Sequence, residues 1–137
     1  MNQYLLDTNI VSELRKPRPH GGVIAWMSHQ QNEQLFLSAV TLGEVQAGIE
    51  RTRRQDPAKA DEIERCLDQL ADCYQVLPMD APCFREWGRL MDQKPDQLLE
   101  DGMIAATARV HHLIVVTRNE RDFKQLGVRI LNPFKTI

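Results

Sequence analysis

Four acidic side chains stand at positions where a carboxylate is unusual. Asp7 directly follows the apolar run YLL, and Asp122 comes shortly after a second apolar run, LIVV. Glu44 and Asp101 fall in helical patterns, where the positions on their own faces are mostly small or apolar. A buried carboxylate is costly unless it is neutralised or takes up a proton. If the four side chains converge, their mutual repulsion calls for a cation among them.

Each of these residues also has an ordinary structural interpretation. Asp7 is suited to cap a following helix, and Glu44 can reach water from the edge of an apolar stripe. Asn119 can cap a turn, which would leave Asp122 on the surface. Glu100 is either a solvated neighbour of Asp101 or an outer ligand. Coincidence explains each acidic residue better than it explains all four, so we predict one shared acidic pocket.

The chemistry expected of this pocket is metal-assisted attack on a phosphate. Oxygen ligands without Cys or His favour Mg²⁺, for which Mn²⁺ can substitute. The histidines lack zinc-site spacing, and the sequence contains neither GxxxxGK[ST] nor GxSxG. Our hypothesis is that Asp7 and Asp101 bind the principal Mg²⁺. Glu44 and Asp122 would then position a water or a second ion opposite the scissile phosphate.

Short apolar runs alternate with longer helical patterns along the chain. Strands are predicted at YLL, 35–38, 75–79, 113–116 and RIL, and helices at 23–30, 39–52, 57–73, 81–94 and 97–111. This alternation predicts an α/β fold, a three-layer sandwich whose mostly parallel central sheet of about five strands is flanked by helices. The pattern over 57–73 favours a surface helix over a coiled coil. Asp7 would lie beyond the carboxyl end of its strand, where open sheets bind ligands.

Size and composition set the remaining expectations. A chain of 137 residues with 42% hydrophobic and 26% charged residues predicts one globular domain over 1–137. Its net charge of −2 means that a nucleic-acid partner would need a local basic patch. The sequence has no signal-peptide pattern and no apolar run long enough to span a bilayer, and its three cysteines form no CxxC. We therefore expect a soluble protein in the reducing cytoplasm.

Four strings, taken together, carry a family resemblance: LLDTNIVSEL, LSAVTLGEVQAGI, EDGMIAATA and VVTRNERDF. Their order and spacing resemble the PIN-domain ribonucleases, and within them the VapC-type toxins with their FitB-like branch. The resemblance covers nearly the whole chain. It implies three main acidic residues, Asp7, Glu44 and Asp101, and a fourth, Asp122. It also implies polar support from three further residues, Asn9, Thr117 and Asn119.

The resemblance further implies Mg²⁺-dependent cleavage of RNA phosphodiesters, a homodimer, and inhibition by a small cognate antitoxin that binds DNA. Such antitoxins often obstruct the acidic site with a C-terminal segment carrying Arg. Cations beside the strand ends are candidates for holding RNA phosphates: Arg15, Lys16, Arg18, Arg118 and Arg121. The run Arg51 to Arg54 is more typical of a solvated helix end.

A different function class also gathers acidic groups at strand ends, namely a non-catalytic Mg²⁺-binding switch like a receiver domain. That fold normally pairs two acids after its first strand and uses a late Lys. Here Asp80 is the one acid after the third run, and no Lys directly follows the fourth run. A phosphatase of the haloacid-dehalogenase kind would prefer a second Asp where Asn9 stands. Both alternatives fit the sequence less well.

Overall fold

The structure, a computed structural model that describes residues 1–135, is built around a five-stranded sheet. The strands are β1 (Tyr4–Leu6), β2 (Leu35–Ser38), β3 (Gln75–Leu77), β4 (Ile114–Val116) and β5 (Ile130–Leu131). They lie in the order β3-β2-β1-β4-β5, and all four pairings are parallel. The predicted α/β fold is confirmed, with a sheet that is wholly parallel over the described residues.

Helices connect the strands and cover both faces of the sheet. They are α1 (Thr8–Leu14), α2 (Gly21–Ser28), α3 (Ala39–Arg53), α4 (Pro57–Cys73), α5 (Ala81–Leu90), α6 (Leu99–His111) and α7 (Glu120–Gln125). The Ser38 hydroxyl caps α3 by accepting a hydrogen bond from the Val40 N–H. The Asp56 carboxylate caps α4, whose first residue is Pro57. These two caps were predicted from residue type, and they are confirmed.

Side chains alternate across the sheet and define two cores. Tyr4 and Leu6 point into a core shared with α1 to α4, whereas Leu5 between them points into a core shared with α5 to α7. This alternation produces the predicted three layers. Leu67 of α4 is buried in the first core, so α4 packs one stripe onto the protein as a surface helix. The coiled-coil interpretation is therefore wrong.

Several predicted boundaries are also wrong, for local reasons. Helix α2 begins at Gly21 and not at residue 23, because the His20 ring Nδ1 caps it by accepting from the Gly22 N–H at 3.0 Å. Helix α5 ends at Leu90 and not at residue 94, and Gln93 beyond it has a positive φ of 63°. Strand β3 stops at Leu77, directly before Pro78, which cannot donate to a sheet ladder.

The start of α6 and two short helices also differ from prediction. A 3₁₀ turn at Asp96–Leu98 precedes α6, which begins at Leu99. A helix after Asp7 was considered only through the capping interpretation of that residue and was given no bounds. Helix α7 was not predicted, because Asn119 before it was interpreted as a turn cap. The last two residues of the predicted domain, 136 and 137, lie outside the described residues.

The strand order reverses between β1 and β4. The chain moves outward from β1 through β2 to β3, then returns to place β4 on the other side of β1. The Asp7 N–H continues this pairing beyond β1 by donating to the Val116 carbonyl at 2.9 Å. The carboxyl ends of β1 and β4 therefore meet at the point where open parallel sheets bind ligands.

Two further observations concern the predicted location. Within residues 1–135, none of the helices combines the length and the apolar character needed to cross a bilayer. The three cysteines are free thiols.

Candidate active site

Asp7 is the most buried of the four acidic residues, with 3% of its surface exposed. Its Oδ1 accepts a hydrogen bond from the Thr8 N–H at 2.8 Å, which caps α1 as the ordinary interpretation predicted. Its Oδ2 accepts from the Thr117 hydroxyl at 2.7 Å and from the Asn9 amide at 3.2 Å. Burial raises the pKa of Asp7, and the Thr117 and Thr8 hydrogen bonds oppose that rise. The carboxylate is thus held at both oxygens.

Asn9 and Thr117 join the end of β1 to the end of β4. The Asn9 amide also donates to Thr117 Oγ1 at 3.3 Å, and its Oδ1 accepts from the Arg118 N–H at 3.2 Å. Thr117 Oγ1 in turn accepts from the Asn119 N–H at 2.8 Å. These bonds fix the backbone after β4 relative to the Asp7 carboxylate.

Glu44 lies on α3 and faces Asp7 across the amino end of α1. The Thr8 hydroxyl donates to Glu44 Oε1 at 2.8 Å, and its oxygen also lies 3.0 Å from the Thr41 hydroxyl. Partial burial raises the pKa of Glu44, and the negative charges of Glu100 and Asp7 raise it further, against the effect of the Thr8 bond. Glu44 is therefore half-buried and hydrogen-bonded rather than fully solvated.

Asp101 and Asp122 are linked through one amide. The Asn119 Nδ2 donates to Asp101 Oδ2 at 3.2 Å and to Asp122 Oδ2 at 2.9 Å. Burial, followed by repulsion from four other carboxylates, raises the pKa of Asp101 to about 7; these carboxylates are Asp7, Asp122, Glu44 and Glu100. An acid whose pKa rises this far reports an excess of negative charge in a poorly solvated place.

Three of the predicted acidic residues, Asp7, Glu44 and Asp101, line a single cleft of about 440 Å³. We call it the acidic cleft. Asp122 is not in its lining and is connected to it through Asn119. Glu100 is exposed, yet its charge raises the pKa of both Asp101 and Glu44, so it lies near the rim. The shared pocket predicted from the sequence is thus present for three of the four carboxylates.

The donor chemistry of the acidic cleft suits a hard divalent cation. As arranged within residues 1–135, no three Asp, Glu, His or Cys side chains surround one point at ligand distance. Mg²⁺ does not require such a cage, because one or two carboxylates usually hold it while water and phosphate complete its shell. Carboxylate, hydroxyl and amide oxygens line the cleft, and these are the ligands that Mg²⁺ and Mn²⁺ prefer. The raised pKa of Asp101 shows the negative charge that a cation would neutralise.

The predicted basic residues divide between several places. Lys16 and Arg118 line the acidic cleft, and Lys16 Nζ pairs with Glu13 at 3.0 Å. Arg15 lines a neighbouring depression between α1 and α3, and Arg18 is exposed on the loop that follows α1. Arg121 lies outside the acidic cleft, on α7.

The run Arg51 to Arg54 has a structural role at one of its positions. Arg53 on α3 bonds Glu50 on its own helix and two carboxylates on α4, those of Asp61 and Glu64. This side chain joins two helices, which the interpretation as a solvated helix end did not anticipate.

Sequence reasoning missed four residues of the acidic cleft. Three of them, Thr8, Ser12 and Glu13, belong to α1, whose extent was not predicted. Bounds for that helix would have placed all three at the strand-end edge of the sheet. Glu13 is 7% exposed and accepts from the His20 N–H at 2.8 Å, so it anchors the loop after α1. Phe134 comes from beyond β5, and no pattern around it signals a place in the cleft.

Comparisons with known proteins find similarity along almost the whole chain. The PIN domain family model matches residues 4–128. VapC ribonuclease Y4jK of Sinorhizobium fredii is 37% identical, over 96% of this chain and 97% of that protein. Toxin FitB of Neisseria gonorrhoeae is 31% identical, over 95% and 97% respectively. The solved structure of FitAB bound to an IR36 DNA fragment superimposes with a TM-score of 0.85 at 28% identity, covering 98% of each chain.

Proposed function

The chain belongs to the PIN-domain family, within its VapC and FitB group, and from this premise we propose that it is an endoribonuclease acting as the toxin of a toxin–antitoxin pair. The relatives named as a ribonuclease and as a toxin each align over almost their whole length. We propose further that the reaction is Mg²⁺-dependent hydrolysis of RNA phosphodiesters.

One observation carries the mechanistic part of this proposal. Asp7, Glu44 and Asp101 come from three separate parts of the sequence, yet they line one cleft where the strand order reverses. Burial, followed by repulsion from Asp7, Glu44 and two further carboxylates, raises the pKa of Asp101 to about 7. Among residues 1–135, no Lys or Arg lowers the pKa of Asp101. We infer that a cation arriving with the substrate balances the negative charge of the acidic cleft.

In the proposed mechanism the chain supplies ligands, orientation and anchoring. Asp7 and Asp101 would hold the principal Mg²⁺. When bound, this ion lowers the pKa of water and neutralises charge that develops on the phosphate. Glu44, fixed by the Thr8 hydroxyl, orients the attacking water opposite the leaving oxygen. Asp122 acts through Asn119, whose amide orients the Asp101 carboxylate.

The cations nearest the acidic cleft would hold the RNA backbone. Lys16 and Arg118 lie in its wall, and Arg15 lies close by on the same side of α1. Phosphate contacts of this kind position a strand without reading its sequence.

The proposed partners are a second copy of this chain and a small cognate antitoxin that binds DNA. Support for the antitoxin comes from the similarity to FitAB, which was solved on a DNA fragment.

We also propose that residues 1–137 form a single domain, because the family match over 4–128 spans every helix of the structure described. Free thiols at all three cysteines are compatible with the cytoplasm, where we place its action. Because the chain belongs to the PIN-domain family, we do not propose the receiver-like switch that was considered from the sequence.

Cleavage assays on three variants test this proposal. Purified protein, freed of any bound antitoxin, is incubated with end-labelled RNA in Mg²⁺ and in chelator. We expect cutting by the wild type in Mg²⁺ alone, and a loss of at least about a hundredfold in the Asp7→Asn and Asp101→Asn variants. Asp68→Asn, which removes the same charge from an exposed position on α4, is the control and should cut normally. Equal cutting by all four proteins, or undiminished cutting in chelator, would refute the mechanism.

A further inference from the structure

A second cleft, of about 800 Å³, adjoins the acidic cleft and shares Arg118 and Phe134 with it. We call it the basic cleft. The residues of its lining that matter here are His20, Arg118, Arg121, Lys124, Phe134 and Lys135. The proposed mechanism assigns no role to five of these six.

The basic cleft is locally positive in a chain whose net charge is −2. Glu120 is the acidic residue in its lining, and this carboxylate already pairs with Lys135. Arg121 and Lys124 are exposed and have no ion pair within residues 1–135. Arg118 likewise has no carboxylate partner in that part of the chain. Three cations are therefore left to attract an anion.

Three planar side chains lie together at the boundary between the two clefts, and we call this group the stack. The Arg118 guanidinium lies 4.7 Å from the Phe134 ring centroid, and the His20 ring lies 4.9 Å from that centroid at 53°. Phe134 also packs against the first core, so the stack has a fixed base. Arg118 and His20 remain exposed. An exposed guanidinium held over an aromatic ring offers a face on which an unpaired base can stack.

The stack is held in place relative to the acidic cleft. The Arg118 N–H donates to Asn9, and Asn9 in turn donates to the Asp7 carboxylate. Asn119, the next residue, lines the basic cleft and holds Asp101 through its amide. An RNA strand whose phosphate enters the acidic cleft would therefore meet the stack and the cations of the basic cleft at a fixed distance from the carboxylates.

We propose that the basic cleft is a subsite for single-stranded RNA, which binds the nucleotide next to the scissile phosphate. The base stacks against the group formed by Arg118, Phe134 and His20, while Arg121 and Lys124 contact the adjoining phosphates. A cationic groove with stacking side chains is the combination that binds single strands with little sequence preference. This inference rests on the proposed ribonuclease function and extends it to residues outside the acidic cleft.

Salt-dependent binding tests the phosphate contacts. A fluorescent, unstructured RNA oligonucleotide is titrated with protein in chelator, where no cleavage is expected, at several salt concentrations. The Arg121→Ala/Lys124→Ala double variant should flatten the slope of log K against log salt by about 1.4, since each single-strand phosphate contact contributes about 0.7. The control is Arg65→Ala/Arg85→Ala, which removes two exposed cations from α4 and α5 that line neither cleft. Its slope should match that of the wild type.

A comparison of two probes tests the stack. Phe134→Leu keeps an apolar side chain against the core but removes the ring. We expect its RNA affinity to fall by about fivefold or more, as for a lost base–aromatic contact. Its affinity for inorganic polyphosphate, which has charge but no bases, should change by less than about twofold.

Three outcomes would overturn the subsite. The first is an equal slope in the cleft variant and its charge-matched control. The second is an equal effect of Phe134→Leu on RNA and on polyphosphate. The third is an Arg121→Ala/Lys124→Ala variant that binds RNA as the wild type does but binds poly-glutamate more weakly, which would make the cleft a peptide site. Failure of the ribonuclease function itself would appear separately, as a wild type that cuts no RNA in Mg²⁺.

Discussion

Replacing Asp101 with Asn should make the cation-free protein more stable at neutral pH while it abolishes cleavage. The substitution removes the charge but keeps an oxygen that can accept from the Asn119 amide. Burial and neighbouring carboxylates raise the pKa of Asp101 from 3.8 to about 7 in the folded chain. The unfolded chain lacks these neighbours, so ionisation of Asp101 favours unfolding.

The expected size and pH dependence follow from that shift. A rise of about three pKa units corresponds to a ceiling of about 4 kcal/mol, at 1.36 kcal/mol per unit. Asp101 is only partly buried, so solvent screens the interaction and about 1–2 kcal/mol is the expected gain in free energy of unfolding. Because the folded-state pKa is the higher one, the penalty is absent below about pH 4, grows between 4 and 7, and is complete above 7. The stability gained in the Asp101→Asn variant should depend on pH in the same way.

Thermal unfolding in chelator at pH 4.5 and pH 8 measures this effect. At pH 8 the Asp101→Asn variant should melt about 3–8 °C above the wild type, with little difference at pH 4.5. Added Mg²⁺ should raise the melting temperature of the wild type more than that of the variant, since ligand binding stabilises only the state that binds. Asp68→Asn, on exposed α4, should melt with the wild type at both pH values. A variant less stable than the wild type at pH 8, or equally stabilised at both pH values, would refute the claim that ionisation of Asp101 destabilises the folded chain.

Three other substitutions have defined expectations. Thr8→Val removes the hydroxyl that donates to Glu44 and should slow RNA cleavage about tenfold, whereas Thr8→Ser should cut at nearly the wild-type rate. Asn119→Ala removes the amide that holds the Asp101 and Asp122 carboxylates, so the cleavage rate should fall about 10- to 100-fold. The variant should also need more Mg²⁺ for its half-maximal rate. An unchanged Mg²⁺ requirement would contradict this role. In Gly102→Ala the new Cβ would lie 2.5 Å from Met91 Sδ, so the free energy of unfolding should fall by about 1 kcal/mol and the melting temperature should fall with it. Gly88→Ala, with no atom within 4 Å of its Cβ, should melt higher, and the reverse order would contradict the packing argument.

The parts of the fold that the sequence predicted are those set by local chemistry. The side chains of Ser38 and Asp56 cap the helices that follow them, and both helix starts were predicted from these residue types. The apolar strands were recognisable because a parallel sheet buries both of their faces. The extents of α1 and α7 were not predicted, because both helices are short and directly follow strand ends, where Thr, Asn and Asp are equally suited to turns.

The candidate site was predictable in its acidic residues and less so in their support. A carboxylate among small and apolar neighbours is visible in sequence, as at Asp101. That Asn119 would hold two carboxylates at once depends on the position of α7 relative to α6, which no local pattern encodes. The place of Phe134 depends likewise on a contact with residues far from it in sequence.

The hydrogen bond between Thr117 and Asp7 joins residues that are 110 positions apart. During synthesis, Asp7 leaves the ribosome early, but Thr117 after β4 and Asp101 on α6 emerge only with the last third of the chain. Until then β1 lacks one of its two neighbouring strands, and Asp101 and Asn119 are not available. The acidic cleft is therefore incomplete in a growing chain, and the proposed cleavage of RNA can begin only when translation is nearly finished.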